Sequence, residues 1–249
     1  MGKIGLLGVN ISAGSFKTIL EEIFLLSEEK ISSYICMCNV HMLVEAQQDN
    51  DFNVILNNAD IVTPDGMPIA KVLSWKYSIT HERVSGMDMM PKIIEECAKR
   101  QKSIFLYGTT NEVLGNIRKQ INSDFPLLEI ETFSPPFREL SPSEDEEIIN
   151  KINDFNADFV FVALGCPKQE KWMEAHNGII NSCMIGLGGA FPVYAGLQNR
   201  APEWMYNNSL EWFYRLILEP KRMFGRYCLT NTLFILYICI DYLQNRFNK

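Results

Sequence analysis

Apolar residues fall into two rhythms along the first four-fifths of the chain. One is the short apolar-rich run: residues 34–38, 59–62, 103–107, 127–133, 159–164 and 183–187 are each the length of a strand. Phe159-Val-Phe-Val-Ala-Leu164 has no polar position at all, the pattern of a strand covered on both faces. Residues 3–9 predict a further strand at the start. The other rhythm is helical. Phe16, Ile19, Leu20, Ile23 and Phe24 share one face of a helix over 15–27. Helices are also predicted over 39–46, 51–58, 86–99, 111–121, from 143 to about 155, and after 170, with Asn39 and Asp51 as N-caps and Ser143/Glu146 in capping-box spacing. From residue 103 onward the order is strand, glycine turn, helix, repeated. That order predicts an α/β fold: a Rossmann-like, mostly parallel sheet with helices on both faces.

The glycine turns bring in chemistry. Gly108, Gly165 and Gly188-Gly189 each follow a strand, where backbone amides and helix N-termini can accept a diphosphate. Lys168, Gln169 and Glu170 follow Gly165. No Gly-x-Gly-x-x-Gly and no P-loop occurs, which argues against a nicotinamide oxidoreductase. Thr63-Pro-Asp-Gly-Met-Pro68 pins Asp65 between two prolines and a glycine just past another strand. A carboxylate at a strand's carboxyl end is a candidate general base, or only the cap of the next helix. Arg83 follows within twenty residues, as an ion-pair partner or a phosphate clamp, and would hold the Asp65 pKa low.

Beyond residue 197 the pattern changes, and the chain divides into an α/β body, 1–197, and a helical appendage, 198–249. Trp204, Trp212, Phe213 and Tyr214 crowd together, and Leu233–Ile240 is an unbroken apolar octet. The window 227–243 falls short of the roughly 20 apolar residues of a spanning helix. It reads as an interfacial helix with arginines at its base, the alternative being a helix packed on the body. The aromatic belt could instead be a contact between copies of the chain. Seven Lys and Arg against four acids make this tail +3, which leaves −10 on the body of a chain of net charge −7. An acidic body excludes general nucleic-acid affinity, and the basic end suits a phosphate or a membrane surface.

The seven cysteines include no Cys-x-x-Cys pair, and His41, His81 and His176 are scattered, so neither a metal site nor a triad is assigned and no cofactor is expected. Asp49-Asn50-Asp51 is a solvated turn between helices. Cys166, between a strand and a helix, has the setting of a lowered thiol pKa but no histidine base in reach by sequence. There is no signal peptide pattern.

Several blocks together resemble the WecG/TagA/CpsF family of bacterial glycosyltransferases: residues 39–46, 59–68, 82–88, 164–172 (Leu-Gly-Cys-Pro-Lys-Gln-Glu-Lys-Trp), 186–191, 200–202 and 210–222 (Leu-Glu-Trp-Phe-Tyr-Arg through Glu-Pro-Lys-Arg). The resemblance implies a metal-independent cytoplasmic enzyme, peripheral on the inner face of the cell membrane. Its reaction would be inverting transfer from a UDP-sugar to a polyprenyl-diphosphate-linked sugar in cell-surface polysaccharide or teichoic acid synthesis. It implies Asp65 as the base, Asn39 and Gln169 in the site, and Arg215, Arg222 and Arg226 on the lipid diphosphate. Met37 stands where the mannosaminyl branch carries threonine, so the donor stays open among N-acetylmannosamine, glucose, N-acetylglucosamine and a uronic acid. The rival from another class is a non-catalytic UDP-sugar-binding regulator on the same sheet.

Overall fold

The computed structural model describes residues 2–77, 82–208, 210–218 and 220–247, and within these not the side chains of 206, 207, 222, 223, 226 and 245–247. His81 lies outside the described residues.

The chain opens with a hairpin, β1 (Lys3–Leu6) and β2 (Val9–Ser12), paired antiparallel. The single strand expected over 3–9 is broken because Leu7 and Gly8 take φ of 48° and 70°, a two-residue turn that reverses the chain. Then follow α1 (Phe16–Glu28), β3 (Ser33–Cys38), α2 (Val40–Gln48), α3 (Asn50–Asn58), β4 (Ile61–Pro64), α4 (Met67–Tyr77), α5 (Gly86–Arg100), β5 (Ile104–Gly108), α6 (Asn111–Asp124), β6 (Ile130–Phe133), α7 (Pro142–Phe155), β7 (Phe159–Ala163), α8 (Lys168–Ala175), β8 (Cys183–Gly186), α9 (Phe191–Tyr194), α10 (Glu203–Asn207), α11 (Glu211–Leu218) and α12 (Pro220–Phe247).

The last six strands form one parallel sheet in the order β4-β3-β8-β7-β5-β6. Every residue of β3, β4, β5, β7 and β8 is buried, as an apolar strand between two helical layers must be. One layer packs Ile19, Ile93, Ile117 and Phe191, from α1, α5, α6 and α9. The other packs Leu43, Phe52, Leu73, Ile152 and Met173, from α2, α3, α4, α7 and α8, together with the hairpin and Phe234 of α12. The chain therefore leaves β5 and β8 toward one layer and β3 and β7 toward the other. Neighbouring strand ends part at the carboxyl edge, where an open α/β sheet forms its clefts.

Local sequence sets two helix starts differently from expectation. The capping box is Ser141 with Glu144, two residues earlier than expected, because Pro142 occupies the first helical position, where its fixed φ is favoured. Asp49, rather than Asp51, caps α3 by accepting from the Phe52 amide at 3.1 Å. Asn39 caps α2, its Oδ1 accepting from the Met42 amide at 3.2 Å.

Helix α12 is two-faced. Phe234 is buried, and Leu233, Tyr237 and Ile238 pack beside it along α2, a spacing of three and four that makes one stripe. Lys76 pairs with Asp241 at 2.5 Å, and the rings of Trp75 and Tyr242 meet at 5.2 Å. The opposite side leaves Phe224, Leu229, Ile235, Leu236, Ile240 and Leu243 exposed. The reading of this segment as a helix packed on the body describes its buried side. Among the described residues no helix is long and apolar enough to cross a membrane.

Candidate active site

Five strand ends line up along the carboxyl edge in sheet order: Asp65 after β4, Asn39 after β3, Gly188-Gly189 after β8, Gly165 after β7, and Gly108 closing β5. At about 4.8 Å per strand, Asp65 and Gly108 stand roughly 19 Å apart, so one small group cannot touch both.

The glycines differ in what they do. Gly108 has φ 110°, and a Cβ there would sit 2.5 Å from the Ala163 carbonyl oxygen. The next amide, Thr109, donates to that same oxygen at 2.9 Å. Gly108 is thus needed for the contact of β5 with β7, and the amide beside it is already used. Gly165 is open, with nothing near its would-be Cβ, and its amide donates to Gln169 Oε1 at 3.3 Å. Among the described residues the amides of Gly188 and Gly189 make no hydrogen bond, which leaves both for an incoming anion.

Gln169 links these turns. It is 7% exposed, and a Cβ on Gly186 or Gly188 would come within 2.8 or 2.7 Å of its amide group. Its Nε2 donates to Glu170 Oε1 at 2.8 Å. Glu170 is fully buried, its Oε2 has no hydrogen-bond partner among the described residues, and burial pushes its pKa up to about 7 against the bond from Gln169. The Cys166 thiol is likewise pushed up by burial and by Glu170, opposite to the lowering its position suggested. Lys168 begins α8 with its side chain exposed.

Glu170 carries a stability prediction. Its carboxyl ionises at 4.5 ordinarily but at about 7 when folded, so the folded state holds the proton longer. The corresponding stability is complete below pH 4.5 and is lost as pH rises through 7, up to about 3 kcal/mol. Glu170→Gln cannot ionise. It should raise the unfolding midpoint at pH 8 and leave it nearly unchanged at pH 5, as read by denaturant titration at the two values.

Asp65 is half-buried at the rim, its amide donating to the Cys38 carbonyl at 2.8 Å. Among the described residues no hydrogen bond reaches its carboxylate, so it does not cap α4. Burial first, then Glu211, raises its pKa to about 7; Arg83 and Arg215 pull down and Asp88 pushes up. The expectation that Arg83 would keep it low is corrected: Arg83 does pull down, but burial and Glu211 outweigh it, and Glu211 is one of the two carboxylates Arg83 holds. Its Nη2 meets Asp88 Oδ2 and its Nη1 meets Glu211 Oε2, both at 2.7 Å. Arg200 holds the other Asp88 oxygen at 2.5 Å. Burial opposes ionisation of Asp88, but these two arginines and Ser85 hold its pKa below the ordinary value.

Arg215 reaches the same place from the appendage. A Cβ on Gly189 would lie 3.7 Å from its Nη1, and its charge also acts on Asp65, so its guanidinium serves both the β8 turn and the Asp65 rim. Arg222 and Arg226 fall on α12, but their side chains lie outside the described residues. Among the described residues no three His, Cys, Asp or Glu side chains gather as a metal-binding group.

The sequence model of the glycosyl transferase WecG/TagA/CpsF family matches residues 4–248. The chain belongs to this family. Among its relatives is a protein of Bacillus subtilis, 34% identical over 89% of this chain and 87% of its own length. Another, from Bacillus spizizenii, is 30% identical over 84% and 79%. A third, from Staphylococcus aureus, is 27% identical over 89% and 87%. All three are named N-acetylglucosaminyldiphosphoundecaprenol N-acetyl-beta-D-mannosaminyltransferase.

The row of strand ends in this WecG/TagA/CpsF family member brings together a carboxylate with proton affinity near neutrality, open amides and an arginine. Asn39, Gln169, Gly165, Gly188, Gly189 and Arg215 share that edge with Asp65. Arg83 stands behind it in ion pairs. Asp88, Arg200 and Glu211 were not picked out from sequence, although each lies within a block that carries the family resemblance.

Proposed function

We propose that this family member transfers an N-acetylhexosamine, N-acetylmannosamine as in the names of its relatives, from a UDP-sugar to a polyprenyl-diphosphate-linked N-acetylglucosamine. Asp65 acts as the base. The observation that carries the reading is the Asp65 carboxylate itself: at a strand end, with no hydrogen bond from the described residues, its pKa near 7 and the charge of Arg215 acting on it. It takes the proton of the acceptor hydroxyl as that oxygen bonds to the anomeric carbon. The bond to UDP breaks on the opposite face, which inverts the centre. Charge growing on the leaving diphosphate meets Arg215 and the Gly188 and Gly189 amides. A base with pKa about 7 then returns its proton to water readily at neutral pH. Met37 is buried, with Thr63 Oγ1 donating to its sulfur at 3.1 Å, so the side chain at this position faces the core rather than the edge.

The test is UDP release over a panel of UDP-sugars, with a short polyprenyl-diphosphate N-acetylglucosamine as acceptor. Turnover with UDP-N-acetylmannosamine supports the reading; binding of UDP-sugars without any turnover returns the regulator. In the same assay kcat/KM should climb about tenfold per pH unit below 7 and level off above it, since only ionised Asp65 can take the proton. A flat profile between pH 5.5 and 8.5 would remove Asp65 from that role.

We place the protein peripherally on the inner face of the cell membrane, resting on the exposed apolar side of α12 and the positive charge of the tail. Ile235, Leu236 and Ile240 are exposed, so exchanging all three for Asp leaves the buried stripe untouched. That triple variant should lose at least about tenfold in partition onto anionic vesicles, read by co-sedimentation.

A further inference from the structure

Helix α11 is seated at the edge of the sheet in an unusual way. None of its residues is buried, and Trp212, Phe213, Ile217 and Leu218 are exposed. Its described apolar contact is with α12, where the Trp212 and Tyr227 rings meet at 6.1 Å, and not with a buried face of the sheet. What does join it to the body is charge. Glu211, its first residue, reaches Arg83 across 128 positions of chain, Oε2 to Nη1 at 2.7 Å. Its other oxygen lies 3.6 Å from Arg215 Nη2, one turn further along. The Arg83 side chain is only 6% exposed and is anchored on its far side by Asp88. A nearly buried guanidinium held by two carboxylates is costly to leave half-paired, so the pairing is a strong seat.

We propose that Glu211 is a positioning residue, shared between Arg83 and Arg215, which clamps α11 onto the rim of the sheet and holds Arg215 over Gly189 beside Asp65. The clamp stands on the ion-pair geometry; its influence on the reaction rests on the reading of Asp65 as base. Among the described residues, the groups that face Asp65 are Glu211 and Arg215 from α11, Arg83 from the segment before α5, Asp88 from α5, and the Cys38 thiol from β3. Glu211 is the member whose negative charge comes from the appendage. Seating the appendage thus delivers an arginine to the diphosphate turn and a negative charge to the base in one step.

Two substitutions separate the seat from the charge. Glu211→Ala removes both arms of the clamp. Amide hydrogen exchange across 211–218 should speed at least about tenfold while β3 and β7 keep their protection, and the acceptor KM should rise more than kcat falls. Glu211→Gln keeps an oxygen for Arg83 and removes the charge. Exchange across α11 should then quicken less than in Glu211→Ala, while the acid limb of kcat/KM moves down by about one pH unit, because two guanidinium groups now face Asp65 with one carboxylate fewer. Unchanged α11 exchange in Glu211→Ala overturns the clamp, whatever the activity. An unmoved acid limb in Glu211→Gln overturns its action on Asp65. If Asp65→Asn retains full turnover, the base assignment falls, and the clamp is judged by exchange alone.

Discussion

Asp65→Asn keeps the fold, keeps UDP affinity, and loses about 10²–10⁴-fold in kcat. The fold survives because the side chain carries no hydrogen bond among the described residues and sits at the rim, held there by Pro64 and by the hydrogen bond its backbone amide donates to the Cys38 carbonyl. Asparagine fits the same space. It also removes a carboxyl that burial and Glu211 have made reluctant to ionise, so stability at pH 8 should rise slightly rather than fall. What asparagine lacks is a basic oxygen for the acceptor hydroxyl. Thermal unfolding and UDP titration of the variant, beside its turnover, separate these outcomes. Near-parental kcat would remove Asp65 from the mechanism; a collapse of stability would return it to a structural part.

Gly108→Ala has the largest expected effect on folding. The β5 end approaches β7 so closely that a methyl group would meet Ala163 oxygen at 2.5 Å and its carbonyl carbon at 2.6 Å, both rigid backbone. The φ of 110° adds strain for any side chain. Neither strand can withdraw, since each is buried on both faces and the Thr109–Ala163 hydrogen bond fixes their ends. Strain and overpacking together should cost about 3 kcal/mol. For a chain of this length that corresponds to a drop of roughly 6–12 °C in Tm. Gly165→Ala provides the contrast: its φ is also positive but its surroundings are empty, so only the backbone term applies, about 1 kcal/mol. Equal melting of the two variants would show that the contact at Ala163 yields without cost.

Strands β3, β5, β7 and β8 were legible because a doubly covered strand must be apolar throughout, and no other element of that length is. Asp65 was legible through its flanking prolines and glycine, which announce a rigid turn at a strand end. The hairpin was not, because Leu7-Gly8 continues an apolar run and only the backbone angles reveal the reversal. The capping box slipped by two because Ser141 and Ser143 are both suitable caps, and the proline between them decides. The ion pairs of Arg83 with Glu211 and Arg200 with Asp88 span more than a hundred residues each. Nothing local says which arginine meets which carboxylate; that follows only once α11 is docked. The direction of the Asp65 shift is tertiary for the same reason: Arg83 pulls the acid down, and burial together with Glu211, brought in by α11, outweighs it. On the sequence Glu170 is one of three polar residues following Gly165, and its full burial is a tertiary fact.

Helix α12 has one more consequence. Its 28 residues run about 42 Å, with Phe234 sunk among the residues of α2 and Asp241 tied to Lys76. The helix cannot swing out to meet a surface without uncovering that stripe, so any bilayer it touches must accept it lying flat and still attached. A rigid keel of this kind leaves the body little freedom to roll. Under the proposed membrane placement, the compass bearing of the strand-end row, and with it the angle at which a lipid headgroup would arrive at Asp65, is set by how one helix lies along its neighbour.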